Sequence, residues 1–200
     1  MLLGAAGGLL LARVLAWPAT SETVPADPQA GLRVQAMLAQ LLLREAGLSS
    51  RREPLALTDA EVNAFLAQNV QVRDAPIWPV RVRIEAGGVE VGGPTTLERL
   101  TRQLIGSGPA GLLPRSVGGR PVWVAARGRI EVAPGGRTEF QAESGTIGLQ
   151  TVPVALLWRA VGGRPPALVW RMPRVVDRVE LEPGRLVIRT RRARPRGPTG

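Results

Sequence analysis

From Pro121 to Thr190 the chain alternates apolar and polar residues with a period of two, interrupted by Gly/Pro turns. Val122, Val124, Ala126, Gly128, Ile130 and Val132 fall on one strand face, and Trp123, Arg127, Arg129 and Glu131 on the other. Pro134-Gly135-Gly136 turns the chain, Thr138, Phe140 and Ala142 return on the dry face, and Ile147 and Leu149 continue the pattern. Val179 and Leu181 lead into Glu182-Pro183-Gly184-Arg185, with Pro and Gly placed as a type II turn requires, and Leu186 and Ile188 close a last hairpin. Such strands have one permitted register, because a slip of one residue would turn every apolar side chain to water. Gly128, inside a strand, predicts a bulge or bend of the kind a strongly curved sheet needs.

The first half supplies helices and another hairpin. Gly31 to Gly47 reads as a helix with a broad apolar face of Leu32, Val34, Met37, Leu38, Leu41 and Leu42, ended by Gly47. Leu55 and Leu57 form a short extended piece. Thr58-Asp59-Ala60-Glu61 is a capping box, with Leu57 and Val62 spaced as a hydrophobic staple. That helix runs to about Asn69 with Val62, Phe65 and Leu66 inward, and Asp59, Glu61 and Asn63 are assigned to capping and solvent. Val80, Val82 and Ile84 alternate with Arg81, Arg83 and Glu85, Gly87-Gly88 turns, and Val89 and Val91 return. Thr95 to Ile105 reads as a helix, and Gly106 to Gly119 as a long loop. Val154 to Val161 reads as a short apolar helix between Pro153 and Pro165-Pro166.

The chemical inventory is narrow. The chain has no His, Cys or Tyr, and each of its 26 basic residues is Arg. Without His, no Ser has a triad partner; without Cys, there is no thiolate metal site, disulfide or lipoprotein anchor. No carboxylates are grouped as a metal site would need, and no cofactor is expected. The reading is non-catalytic. Of the net charge of +10, half falls in the acid-free stretch Arg189 to Gly200, which leaves an ordinary balance elsewhere. A nucleic-acid partner is not expected, since aromatic residues do not interleave with the arginines.

Residues 1–19 (MLLGAAGGLLLARVLAWPA) read as a signal peptide or signal anchor interrupted by Arg13, and residues 20–30 as a linker. A single α+β domain is assigned to 31–190 and a basic disordered tail to 191–200. This arrangement places the domain outside the cytoplasm, either exported or anchored to the inner membrane and facing the periplasm.

The capped segment LALTDAEVNAFL, Leu55 to Leu66, resembles the opening of small bacterial TULIP-like lipid-binding proteins of the cell envelope. The strand pair Val122 to Glu143, running into GTIGLQTVPVALL (Gly145 to Leu157), is similar to their second half, and the likeness covers about Leu55 to Thr190. It implies a strongly curved antiparallel sheet packed on one or two helices, a TULIP-like half-barrel preceded by an apolar leader helix. It also implies an elongated apolar groove for acyl chains. Unlike a lipoprotein, this chain has no anchoring cysteine, so an anchor has to be the N-terminal segment.

The residues that would line such a groove are Val82, Ile84, Val124, Ile130, Phe140, Ile147, Leu149, Leu186 and Ile188 on strands. Leu156, Leu157, Trp158 and Trp170 would lie at its mouth. The same side chains can instead fill a core. Two functions follow: an envelope protein that binds or carries lipid, with lipid or a membrane surface as its partner, or a structural protein of the envelope with a filled core that assembles with other envelope proteins.

Overall fold

The computed structural model describes residues 12–16, 27–69, 77–132, 137–161 and 169–191, with backbone alone at 28, 109, 169 and 170. In chain order its elements are α1 (Pro28–Glu45), β1 (Leu55–Thr58), α2 (Asp59–Asn69), β2 (Arg81–Glu85), β3 (Gly88–Thr96), α3 (Leu97–Ile105), α4 (Ser107–Gly111) and α5 (Arg115–Gly118). There follow β4 (Pro121–Val132), β5 (Arg137–Ile147), β6 (Gln150–Val152), α6 (Val154–Ala160), β7 (Val169–Arg171), β8 (Val176–Glu182) and β9 (Arg185–Thr190). The fold is α+β with antiparallel pairing throughout these ladders.

The strands form two open sheets, a correction to the single curved sheet expected. A six-stranded sheet has the order β2-β3-β4-β5-β6, with β7 also on β5, and a three-stranded sheet has the order β1-β9-β8. The reason lies at the edge of β2. The Asn63 side chain of α2 accepts from Val82 N–H at 2.7 Å and donates to Val82 C=O at 2.8 Å, occupying the groups a further strand would use. Gly184 N–H, from the β8–β9 turn, donates to Ile84 C=O at 2.8 Å, and Gly87 N–H donates to Leu181 C=O at 3.2 Å. The two sheets thus meet through point contacts, and the ladder stops there. Asn63, assigned to solvent from its position near a helix start, is half-buried and closes this seam.

Each sheet has its own core. Beneath the larger one lie Val89, Leu97, Leu100, Val122, Val124, Ala126, Phe140, Ile147, Leu157 and Ala160. Beneath the smaller one lie Val34, Leu41, Leu55, Leu57, Val175 and Ile188, with Met37, Val62, Phe65, Val176 and Leu186 against them.

Local chemistry explains most element boundaries. The capping box forms as read: Glu61 N–H donates to Thr58 Oγ1 at 3.2 Å, and Thr58 N–H donates to Glu61 Oε2 at 2.9 Å. The Pro183-Gly184 turn also forms, with Gly184 at φ +75°. The β4–β5 register shifts between Arg127 and Gly128, the expected bulge. A Cβ at Gly128 would stand 1.9 Å from Gln141 O, so only glycine fits.

Other boundaries differ. α1 begins at Pro28 and not Gly31, because Asp27 accepts from Gln29 N–H at 3.0 Å and Pro28 occupies the first helical turn. Residues 28–30 of the assigned linker are therefore helical, while 17–26 lie outside the described residues. β3 does not end at Val91; it continues through Gly92, Gly93 and Pro94 to Thr96. A Cβ at Gly92 would lie 2.7 Å from Ala125 Cβ, and one at Gly93 2.6 Å from Pro79 O, so these glycines serve close approach and not a turn. α3 then starts at Leu97, capped by Thr96. The loop read at Gly106 to Gly119 contains the short helices α4 and α5. Val122 to Ala126 are all buried, so β4 is covered on both faces there and Trp123 is not on a wet face. The unbroken run VWVAA carried that signal.

Of the N-terminal segment, residues 12–15 are helical, and Val14 and Leu15 pack against the first core. Arg13 C=O accepts from Leu149 N–H at 2.9 Å. Among the described residues no helix is long and apolar enough to cross a membrane. The Pro134-Gly135-Gly136 turn, the Pro165-Pro166 helix stop and residues 192–200 of the assigned tail lie outside the described residues. Arg189, however, belongs to β9, and Arg191 N–H donates to Val175 C=O at 2.8 Å, so the fold extends to Arg191.

Candidate functional site

The positions assigned to a groove divide between the two cores. Val124, Phe140, Ile147 and Leu157 are buried in the first, with Val82, Ile130 and Trp158 half-buried against it. Ile188 is buried in the second with Leu186 beside it, and Ile84 is buried where the sheets meet. Leu149 and Leu156 are exposed. Leu149 leaves the strand pattern because β5 ends at Ile147 and Gly148, at φ +60°, turns the chain. Trp170 pairs through its backbone with Thr138, and its side chain lies outside the described residues. These residues therefore do not share one interior.

The apolar helix α6 forms after Pro153 as read and lies directly on β5. A Cβ at Gly145 would fall 2.9 Å from Leu157 Cβ, so the missing side chain lets Leu157 seat against the strand. Leu157 is 2% exposed and closes the first core, while Leu156 points away from it and is exposed. Burying a leucine of this kind stabilises by about 1.5–3 kcal/mol.

The opposite situation holds on α1. Its buried stripe is Ala30, Val34 and Leu41, at helical spacing over the small sheet. Leu32, Leu38, Leu42 and Leu43 are exposed, and Leu48, just past the helix end, is 77% exposed. The broad apolar face expected to be covered by a sheet is covered on one side only.

The same helix end forms a basic recess. Arg44 lies on the buried stripe, three residues after Leu41, and is 3% exposed. Its Nη1 donates to Thr190 Oγ1 at 2.8 Å and its Nη2 to Glu53 C=O at 3.0 Å, tying α1 to β9. Its buried Nε has no hydrogen-bond partner. The nearest paired carboxylate, Glu53, stands 3.9 Å away and is 77% exposed. Arg44 lines a recess of about 230 Å³ together with Ser49, Ser50, Arg51, Arg52 and Arg191, and no carboxylate is in the lining.

Elsewhere several charges are paired on the surface. Burial pushes the Glu61 carboxyl up, but hydrogen bonds from the Thr58 amide, Arg33 and the Thr58 hydroxyl outweigh it and hold it below the ordinary value. Arg33 Nε donates to Glu61 Oε1 at 2.9 Å. The hydrogen bond from Arg189 holds Glu180 low as well. Glu90 is the exception: burial first, then Glu85, raise it against the pull of Arg83 and Arg127. Among the described residues no three carboxylates group as a metal site.

Arg44, Arg51, Arg52 and Asn63 are the residues that strand and helix periodicity passed over. A signal was available for the first three: an arginine in phase with Val34 and Leu41, followed shortly after the helix end by Ser49-Ser50-Arg51-Arg52. Compared with known proteins, the chain matches no family model, no curated protein and no solved structure.

Proposed function

We propose that this is a non-catalytic protein of the cell envelope that binds lipid, and that it meets acyl chains on the outer face of α1. The observation that carries the reading is the row of exposed leucines, Leu32, Leu38, Leu42, Leu43 and Leu48, on one helix and its end. An apolar strip of this extent on a folded surface marks a contact with membrane or partner. The arginines beside it favour a membrane carrying anionic lipid, since the strip ends where Arg51 and Arg52 begin. The TULIP-like resemblance of Leu55 to Thr190 and the apolar leader support the same reading and an extracytoplasmic place for the domain.

Sedimentation with vesicles tests it. The wild type is expected to bind phosphatidylglycerol-containing vesicles, and Leu32→Ser/Leu42→Ser/Leu43→Ser to lose most of that binding while keeping its melting temperature. Equal binding by both proteins would overturn the assignment of the face.

A second reading, a structural protein of the envelope that assembles with other proteins, is favoured by the burial of Val124, Phe140, Ile147, Leu157 and Ile188 in closed cores. Absence of vesicle binding, together with no lipid co-purifying by mass spectrometry, would select it.

A further inference from the structure

We infer that the recess at the C-terminal end of α1 is a binding site for a phosphate-type oxyanion, held by Arg44, Arg51, Arg52 and Arg191 with the hydroxyls of Ser49 and Ser50. Four arginines line one recess of about 230 Å³ with no acid in its wall, a volume that admits a phosphate group with solvent. Of these, Arg191 donates its Nε to the Arg174 carbonyl at 3.3 Å and keeps its Nη groups for a ligand. Among the described residues no ion pair engages Arg51, Arg52 or Arg191. Other surface arginines such as Arg81, Arg83 and Arg115 likewise have no ion pair among the described residues, so what sets these three apart is that they line one recess with Arg44.

The second observation is Arg44 itself. A buried cation needs both counter-charge and acceptors, and removal from water is costly when either is short. Arg44 has two neutral acceptors, one distant and solvent-exposed carboxylate, and an Nε without an acceptor. An oxyanion in the recess supplies the missing counter-charge, while the Nε, which is buried from solvent, stays without an acceptor. Guanidinium groups suit an oxyanion because their N–H donors engage two oxygens at once. The site lies at a helix C-terminus, whose dipole disfavours an anion, so the arginines have to outweigh that field.

The oxyanion has two possible sources, a lipid headgroup phosphate or a free phosphate ester, and only the first rests on the lipid reading above. Arg44 also anchors α1 to β9, so its replacement tests folding more than binding. Arg51→Gln/Arg191→Gln is the informative variant, with Arg115→Gln on α5 as a control for general charge.

By calorimetry or phosphorus NMR, inorganic phosphate is expected to bind saturably at one site, with sulfate competing. The double variant should bind about tenfold more weakly or less, and the control as the wild type. Vesicles of phosphatidylcholine with and without phosphatidylglycerol separate the sources. A loss of about fivefold in anionic-vesicle binding for each arginine removed identifies the headgroup. Unchanged vesicle binding beside lost phosphate binding identifies the free ester. A wild type that binds phosphate but no vesicle sinks the lipid reading and leaves the site standing. No saturable phosphate binding, or an equal loss in Arg115→Gln, overturns the site.

Discussion

Beneath the six-stranded sheet the buried residues are apolar apart from the hydroxyls of Thr95 and Thr138 and carry no charge, and the last short helix sets Leu157 among them against a glycine. Beneath the three-stranded sheet the buried cluster is smaller, and the helix that covers it carries Arg44 in its buried stripe and leucines on its outer side. Both regions leave large apolar side chains exposed, Ile105, Leu112 and Leu149 among them in the first, so what sets the second apart is its buried charge and the gathering of its exposed leucines on one helix and its end. A charge placed inside costs folding energy unless a partner at the surface compensates it. A solvent-facing leucine gains nothing in the monomer, and a buried arginine costs several kcal/mol when poorly compensated. On the reading proposed above, the difference assigns the contact with a partner to the smaller region.

One substitution made in both regions gives the widest separation. Leu157→Gln should cost about 3–5 kcal/mol, since it removes packing and buries an amide without a partner. Leu43→Gln should stay within about 0.5 kcal/mol of wild type and should reduce vesicle binding. Reversible urea unfolding measures both. Similar costs at the two positions would show that the outer face of α1 is covered, and the contrast between the regions would collapse.

The seam between the regions comes next. Asn63→Ala should cost about 2 kcal/mol, because it leaves the N–H and C=O of Val82 without their side-chain partner. Hydrogen exchange should speed up at the Val82 amide before it does at Val124. Unchanged protection at Val82 would mean that the edge is held by the Gly184 contact alone.

Strand alternation was legible because it follows from backbone geometry. Val124, Phe140, Ile147 and Ile188 face inward as their period requires, and the turn at Pro183-Gly184 stands where its residues put it. Partition into two sheets was not legible, since period two names a face without naming the partner strand. Nothing in Asn63's own neighbourhood in the sequence says that it will pair with a strand edge 19 residues away. The basic recess was half legible. Arg51 and Arg52 are adjacent in the chain, but Arg191 reaches them only through the pairing of β1 with β9, a contact between opposite ends of the domain.

Within the small region, Thr58→Ala should cost about 0.5–2 kcal/mol, the usual worth of such a cap. The capping box joins β1 to α2, so the loss should appear as earlier unfolding and not as a change in the slope against urea. A cost below the error of the measurement would mean that Glu61, still paired with Arg33, holds the helix start unaided.

The smallest expected effect compares one carboxylate from each region across pH. Glu61, in the small region, has its folded value held below the ordinary 4.5. Its ionised form is favoured by folding, so its contribution is present above the ordinary value and is lost as pH falls through and below it. Glu90, on β3 of the large sheet, is raised above 4.5, chiefly by burial. Its protonated form is favoured by folding, so its contribution is present below the ordinary value and is lost as pH rises through the raised one. Glu61→Gln should therefore lower stability at neutral pH and flatten the acid limb of the stability curve. Glu90→Gln should raise stability at neutral pH and converge with wild type in acid. Urea unfolding from neutral to acid pH reads both. A loss of stability at neutral pH in Glu90→Gln would mean that Arg83 and Arg127, its neighbours across β2 and β4, attract the carboxylate more than burial penalises it. The large sheet would then hold a working ion ladder on its polar face, and the contrast with the charged small region would narrow.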